Sequence, residues 1–261
     1  MPDLDEGSAQ ISHYLLCDIE ATGNRQEDRI IQLGLMLFEN SLEDPPSEIY
    51  NAYNDTTVEM MPEAMEVHHI TPEMLQGKKV LKETDGYKRL CELNHTSSVL
   101  IAHDVSSDLG MLHKEGFENC MQVIDTLRCA KHLLGHLDAY RLQFLRYKLG
   151  LYREEVDEAK KLQIDLRAHD ALGDVLTMKR LLIRLMKETK NQFVLQSDEA
   201  AVQKLIELSA TPVLLTLFPF GKYKGERIED TAYSDPGYIN WMRETLKLDK
   251  DMEFTLDYYL Q

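Results

Sequence analysis

Asp18, Glu20, Asp108, His169 and Asp174 are spread over more than half of a 261-residue chain, yet each lies in a local context that makes sense if they converge. They occur in Cys17-Asp18-Ile19-Glu20-Ala21-Thr22-Gly23, in Ala102-His103-Asp104-Val105-Ser106-Ser107-Asp108-Leu109 and in His169-Asp170-Ala171-Leu172-Gly173-Asp174. Four carboxylates and one histidine on an otherwise apolar scaffold are the donor set of a divalent-metal site with a base beside it. On a strand, side chains at i and i+2 share a face, so Asp18 and Glu20 present two carboxylates about 7 Å apart along one edge. Taken alone the pair also fits a solvated acidic turn, because Asp and Glu make up 45 residues of the chain. Asp170 is a suitable helix N-cap, which places His169 in the loop just before a helix and Asp174 about one turn inside it.

The elements that must position these residues can be read from periodicity. Tyr14 to Cys17 predicts a short strand running into Asp18, with a turn at Thr22-Gly23. Ile30 to Phe38 predicts a long, mostly buried strand and Glu48 to Tyr53 a third, the three forming an antiparallel meander. Pro62 and Pro72 stand at plausible helix starts. Ser98 to Ala102 predicts a fourth strand feeding a helix in which Val105, Leu109 and Leu112 recur at helical spacing. A short strand at Gln122 to Ile124 precedes helices over about Thr126 to Leu134, Arg141 to Leu149 and Ala168 to Met186. Strands first, then strands alternating with helices, give an α/β domain of mixed sheet flanked by helices. The expected organisation is a flexible tail over 1–12, a catalytic domain over 13–190, a polar connecting helix and linker over 191–214 and a small C-terminal module over 215–261.

A net charge of −16 argues against a protein that coats the duplex backbone, since that mode needs dense Lys and Arg. It leaves room for an enzyme that grips one strand end through cations bound at acids. The apolar runs are too short to span a bilayer, and the first residues carry acids where a secretory signal needs positive charge, so a cytoplasmic protein without membrane contact is expected. Cys17, Cys91, Cys120 and Cys129 lack paired metal spacing, in keeping with a reducing compartment. His132 and His136 have zinc-compatible i, i+4 spacing, but no third ligand follows, so no zinc site is expected. The run Glu154-Glu155-Val156-Asp157-Glu158 reads as a solvated loop or helix face.

Together the three acidic segments resemble the DEDDh exonucleases, the DnaQ-like branch of the ribonuclease H-like superfamily. Asp18-Ile19-Glu20-Ala21-Thr22-Gly23 matches the first motif, His103-Asp104 with Asp108 the second, and His169-Asp170-Ala171-Leu172 with Asp174 the third. Val67-His68-His69-Ile70-Thr71-Pro72-Glu73-Met74-Leu75 looks like the family's His-Gly-Ile-Thr segment, and Ile124-Asp125-Thr126-Leu127 like its Asp-Thr turn. The resemblance covers about Tyr14 to Leu185. Two positions depart from it, Asp104 where the family usually has asparagine and His69 where it has glycine.

The resemblance implies a ribonuclease H-like fold and two Mg²⁺ or Mn²⁺ ions held by Asp18, Glu20, Asp108 and Asp174. Asp18 would bridge the ions, and His169 would take a proton from the attacking water. The implied reaction is hydrolysis of the terminal phosphodiester at a 3′ end, releasing nucleoside 5′-monophosphates. Ile19, Ala21 and Thr22 would border the terminal nucleotide, Leu75 would wedge under its base, and His103 and Asp104 would take part in handling substrate. The tail Phe218-Pro219-Phe220-Gly221-Lys222-Tyr223-Lys224-Gly225-Glu226-Arg227 is similar to the C-terminal module of exonuclease X-like proteins. There Lys222, Tyr223, Lys224 and Arg227 interleave cations with a ring as a strand-binding surface does, while a hairpin with an aromatic mini-core fits the same pattern. The expected substrate is a 3′ end, foremost of single-stranded DNA. An RNA exonuclease of the same fold and a proofreading or nucleic-acid-binding subunit of a polymerase assembly are the alternatives. A polymerase or repair partner and a homodimer are compatible with the family.

Overall fold

The computed structural model describes residues 11–135 and 137–260. Most of the expected tail over 1–12 lies outside the described residues, as does His136, half of the zinc-compatible pair. Five strands form one sheet in the order β3-β2-β1-β4-β5. They are β1 (His13–Ala21), β2 (Ile30–Phe38), β3 (Glu48–Tyr53), β4 (Ser98–Ala102) and β5 (Gln122–Asp125). The first three run antiparallel, while β4 and β5 are parallel to β1, as a mixed sheet requires. The helices are α1 (Pro62–His68), α2 (Pro72–Leu75), α3 (Asp85–Glu92), α4 (Val105–Lys114), α5 (Thr126–Leu133), α6 (Leu142–Lys148), α7 (Val156–Leu162), α8 (Ala171–Phe193), α9 (Asp198–Ala210), α10 (Ile228–Ser234), α11 (Pro236–Thr245) and α12 (Lys250–Tyr259).

The strand β1 does not stop at Cys17. Its partner β2 is nine residues long and buried throughout, and pairing continues to Ala21 opposite Ile30. Asp18 and Glu20 are therefore in-strand residues, and a bulge follows between Glu20 and Ala21. Strand alternation then decides their surroundings. Tyr14 and Leu16 face a core shared with α5, α6, α8 and α9, whereas Leu15 and Cys17 face a second core under α3 and α4. Asp18 and Glu20 continue the first of these faces, toward α8.

Two residues in β2 bring α8 close. Gly34 pairs directly with Asp18, and a Cβ placed there would lie 2.6 Å from the Ala171 carbonyl carbon and 2.6 Å from the Leu172 nitrogen. Only a glycine lets the first turn of α8 touch the strand. Gln32 is fully buried, its amide nitrogen donates to Asp170 Oδ2 at 3.1 Å and its oxygen accepts from the Ala171 N–H at 3.3 Å. Gly34→Ala should therefore overpack this joint at a cost of about 1–3 kcal/mol. The expected drop in melting temperature is roughly 2–12 °C, readable by a thermal melt beside the parent chain.

The helix α8 starts at Ala171 and runs to Phe193, later at both ends than the periodicity placed it, because Asp170 caps it through the Gly173 N–H. Two further segments differ from expectation. Helix α9, expected as a polar connector, buries Val202, Leu205 and Leu208 in the same core as α8. In the acidic run, Glu155 is fully buried and Glu158 pairs with Lys179 and Arg180, because the i, i+3 spacing puts both on the inward side of α7. The final segment has its own core of Phe218, Ile228, Ile239, Met242, Met252 and Leu256. It is joined to the sheet domain by Arg128, which pairs with Asp251 at 2.9 Å and donates to the Thr211 carbonyl at 2.6 Å.

Candidate active site

The structure brings all five chemistry-bearing residues to one end of β1. Glu20, His169 and Asp174 each offer an atom within 4.8 Å of the others. Asp18 and Asp174 line a cavity of about 630 Å³ with His103, Asp104, Gln143, Phe144, Tyr147 and His169. Glu20 and Asp108 line an adjoining cavity of about 750 Å³, together with Ile19, Ala21, Arg25, Met61, Val67, His68 and Lys114. The row of carboxylates thus divides two cavities.

Electrostatics couple the acids. Burial pushes the Asp18 carboxyl well above the usual range, and Asp108, Asp174 and Glu20 push it further. Glu20 is raised to about 8 by burial and then by Asp174, Asp108 and Asp170. Asp108 is raised by burial, Asp104 and Asp125. Asp174 reaches only about 6, because hydrogen bonds from the His169 backbone and the Gln143 side chain, with the nearby Arg146 charge, offset its burial. Four acids that resist ionising together, with oxygen donors and a neutral imidazole, fit hard divalent cations, which supply the missing positive charge. The His169 pKa is lowered, first by burial and then by His69, which favours the neutral ring.

Local backbone geometry aims these groups. His69, Asp104 and His169 have φ of 58°, 70° and 58°, in the left-handed region. The family's glycine at the first position is explained by this φ, which a histidine adopts at some strain. At the second, aspartate tolerates the conformation nearly as well as asparagine. Asp104 and Val105 donate backbone N–H bonds to Asp125 at 3.2 and 3.3 Å, and Asp125 also caps α5, so the Asp-Thr turn holds the start of α4 and with it Asp108.

The remaining expected site residues divide. Ile19 and Ala21 line the larger cavity, and His103 and Asp104 the smaller. His103 has both ring nitrogens engaged, Nε2 donating to the Tyr140 carbonyl at 2.8 Å and Nδ1 meeting the Thr126 hydroxyl at 2.9 Å. Thr22 is buried, and its hydroxyl donates to Asp28 at 2.8 Å, bracing the turn after β1. Leu75 is not at the site: it is buried with Ile31, Met60 and Ile70, because its short helix turns it inward. Lys222, Tyr223, Lys224 and Arg227 lie together in the C-terminal module, where Leu217 bridges Arg227 in a hairpin. Tyr223 packs on Phe218 and Tyr238, and its hydroxyl donates to Asp235 at 2.7 Å. Lys222 pairs with Asp235 and Arg227 with Glu229 and Asp230, while Lys224 makes no ion pair among the described residues. Three neighbours of the site carried no chemical motif: Gln32, Gly34 and Gln143. The first two interrupt an apolar run, which was a usable signal. Gln143 had none.

A mixed sheet of this order, with acids at the end of its central strand and a histidine at the head of the longest helix, defines a ribonuclease H-like nuclease. The chain belongs to the exonuclease family, whose family model matches residues 15–182, and is a phosphodiester hydrolase of a class that depends on divalent metal. A second family model, the exodeoxyribonuclease X-like C-terminal module, matches residues 218–247. Exodeoxyribonuclease 10 of Escherichia coli is 26% identical over 206 residues, covering 77% of this chain and 79% of the relative. The PolC-type DNA polymerase III of Pediococcus pentosaceus is 23% identical over 203 residues, covering 76% of this chain but 13% of the polymerase. Exonuclease X in complex with 5′ overhanging duplex DNA shares the fold at a TM-score of 0.53 and 16% identity, over 76% of this chain and 99% of that one. Exonuclease I of E. coli in complex with a dT13 oligonucleotide does so at 0.52 and 16%, over 70% and 43%. Among the described residues no helix is long and apolar enough to cross a membrane.

Proposed function

We propose that this protein is a 3′-to-5′ exonuclease of DNA that releases nucleoside 5′-monophosphates, with Asp18, Glu20, Asp108 and Asp174 holding two Mg²⁺ or Mn²⁺ ions. The observation that carries this reading is the convergence of those four acids and His169 on one wall between two cavities. The ions would supply Lewis acidity, lowering the pKa of the attacking water and offsetting charge on both oxygens of the displaced bond. His169 takes the proton from that water. Its ring is exposed, but partial desolvation and the neighbouring His69 bias it to the neutral state, and its backbone N–H is anchored to Asp174 Oδ2 at 3.0 Å. Ile19 and Ala21, with Met61 and Val67 across the larger cavity, border the terminal nucleotide, and Arg25 and Lys114 face its phosphates. Deoxyribose as the sugar is supported by the exodeoxyribonuclease likeness of both segments.

The test is degradation of end-labelled single-stranded DNA, duplex DNA and RNA with Mg²⁺, Mn²⁺ or chelator. A 5′ label should give a ladder of shortening products and a 3′ label immediate mononucleotide, faster on DNA than on RNA and not at all with chelator. Preferential loss of RNA would move the protein to the RNA alternative, and internal cuts alone would sink the exonuclease assignment. In the same assay His169→Ala should lower kcat by about 10²–10⁴-fold, with Mn²⁺ affinity close to the parent's. A His169→Ala enzyme as fast as the parent removes the histidine from the proton transfer.

A further inference from the structure

The buried Arg146 and Glu155 have no place in the reaction as described, and their hydrogen bonds lead to Asp174. Gln143 and Arg146 are i, i+3 on α6 and so share a face. Arg146 Nη1 donates to Gln143 Oε1 at 3.2 Å, and Gln143 Nε2 donates to Asp174 Oδ1 at 2.5 Å. A guanidinium only donates and a carboxylate only accepts, so the two neighbours together dictate which way the Gln143 amide faces. Arg146 Nε donates to Glu155 Oε1 at 2.6 Å, and a second guanidinium nitrogen meets the same carboxylate. Glu155 Oε2 accepts from the Thr177 hydroxyl at 3.1 Å, and Thr177 lies three residues beyond Asp174 on α8. The bonds close a ring through α8, α6 and the start of α7. The other Asp174 oxygen accepts from the His169 backbone N–H at 3.0 Å.

We propose that Gln143 is a positioning residue for Asp174, its amide oriented by the buried Arg146–Glu155 pair, so that this carboxylate is held ready for a divalent cation. The inference rests on the reading of Asp174 as a metal ligand. A buried ion pair is weak evidence for stability, since apolar residues of similar volume often serve as well. Its value here is directional: it leaves the amide with one orientation and the carboxylate with one rotamer. Each Asp174 oxygen accepts one hydrogen bond from the protein and keeps lone-pair capacity for an ion. Hydrogen bonds behind a ligating carboxylate are worth about 10–100-fold in metal affinity or activity.

The experiment measures Mn²⁺ binding to the full chain without nucleic acid, by calorimetry or by the electron paramagnetic resonance of free Mn²⁺. Steady-state kinetics on a DNA oligonucleotide are run beside it. Gln143→Leu keeps volume and removes the donor. It should weaken Mn²⁺ binding about 10–100-fold and raise the Mg²⁺ concentration for half-maximal rate correspondingly, with the KM for DNA at saturating metal unchanged. The double replacement Arg146→Met with Glu155→Leu removes both charges together, so no buried charge is orphaned, and should also weaken Mn²⁺ binding while the chain stays folded. Parental Mn²⁺ binding in Gln143→Leu overturns the proposal, and parental binding in the double variant overturns the role of the pair. A raised KM for DNA with parental metal binding overturns it too, assigning Gln143 to substrate contact in the cavity it lines. Asp174→Ala separates this failure from failure of the metal assignment. If Asp174→Ala binds Mn²⁺ like the parent, the assignment itself is wrong; if it loses binding while Gln143→Leu does not, only the positioning role falls.

Discussion

Asp18→Asn should leave the chain at least as stable as the parent without divalent metal, while its nuclease rate falls by about 10³-fold or more. The first half follows from burial and crowding. The Asp18 carboxyl is driven toward its protonated form by desolvation and by Asp108, Asp174 and Glu20. Asparagine has nearly the same shape, carries no charge and removes one source of repulsion among the acids. The second half follows from what an amide cannot do. As a neutral ligand it does not compensate two cations, and several kcal/mol of transition-state charge stabilisation correspond to three or more powers of ten in rate. Melting curves in chelator and single-turnover digestion with Mg²⁺ check both halves. An Asp18→Asn enzyme within tenfold of the parent rate would remove Asp18 from the metal site.

Without divalent metal, the protein should lose stability as the pH rises from about 6.5 to above 8, and Mg²⁺ or Mn²⁺ should restore it. Glu20 is raised in the folded chain from 4.5 to about 8. A carboxyl whose folded pKa is raised stabilises the fold fully below its unfolded pKa, and that contribution disappears as the pH climbs through the folded value. Asp174, raised to about 6, has largely lost its share by neutrality. Histidines act in the opposite sense: His68, His103, His132 and His169 are all lowered, chiefly by burial, so deprotonation favours the fold as the pH rises toward 6.5. Above that pH the histidines are neutral in both states, and the raised carboxyls of Glu20, Asp18 and Asp108 set the slope. Across pH 6.5 to 8.5 the Glu20 carboxyl gives up about 2 kcal/mol, reduced by water in the cavity it lines, so it contributes a fall of roughly 2–8 °C in melting temperature. Bound cations let the acids ionise without that cost, so stabilisation by metal should be larger at pH 8.5 than at 6.5. Glu20→Gln should flatten the pH slope. A chelated parent with equal melting temperatures at both pH values, and no response to metal, would contradict the electrostatic account of the site.

Much of this architecture was legible in the residues themselves. The strands Ile30–Phe38, Glu48–Tyr53 and Ser98–Ala102 were readable to the residue because each is a bounded apolar or alternating run. Asp170 as a cap, with His169 before it and Asp174 one turn inside, was readable because capping is local chemistry. The full length of β1 was half legible: the spacing of Asp18 and Glu20 put both on one strand face, but the apolar run ended at Cys17, and pairing with β2 carries the strand on to Ala21. Leu75 looked available to a substrate because an apolar residue in a turn gives no sign of which way it will point; the core around Ile70 settled that.

By itself, then, the sequence determined which groups could do chemistry here and in what order they occur, because side-chain type, alternation and capping act over a few residues. It also carried the family likeness, through spacing that only a shared fold would keep. Tertiary structure alone decided the distances. Gly34 admits α8 against the strand, Gln32 ties its first turn down, and the inward turn of Glu155 sets a buried ion pair behind Gln143. Those effects depend on contacts between segments up to 139 residues apart, such as Gln32 with Ala171. No local pattern encodes contacts of that kind, so the identity of the acids could be read from the chain while their mutual placement could not.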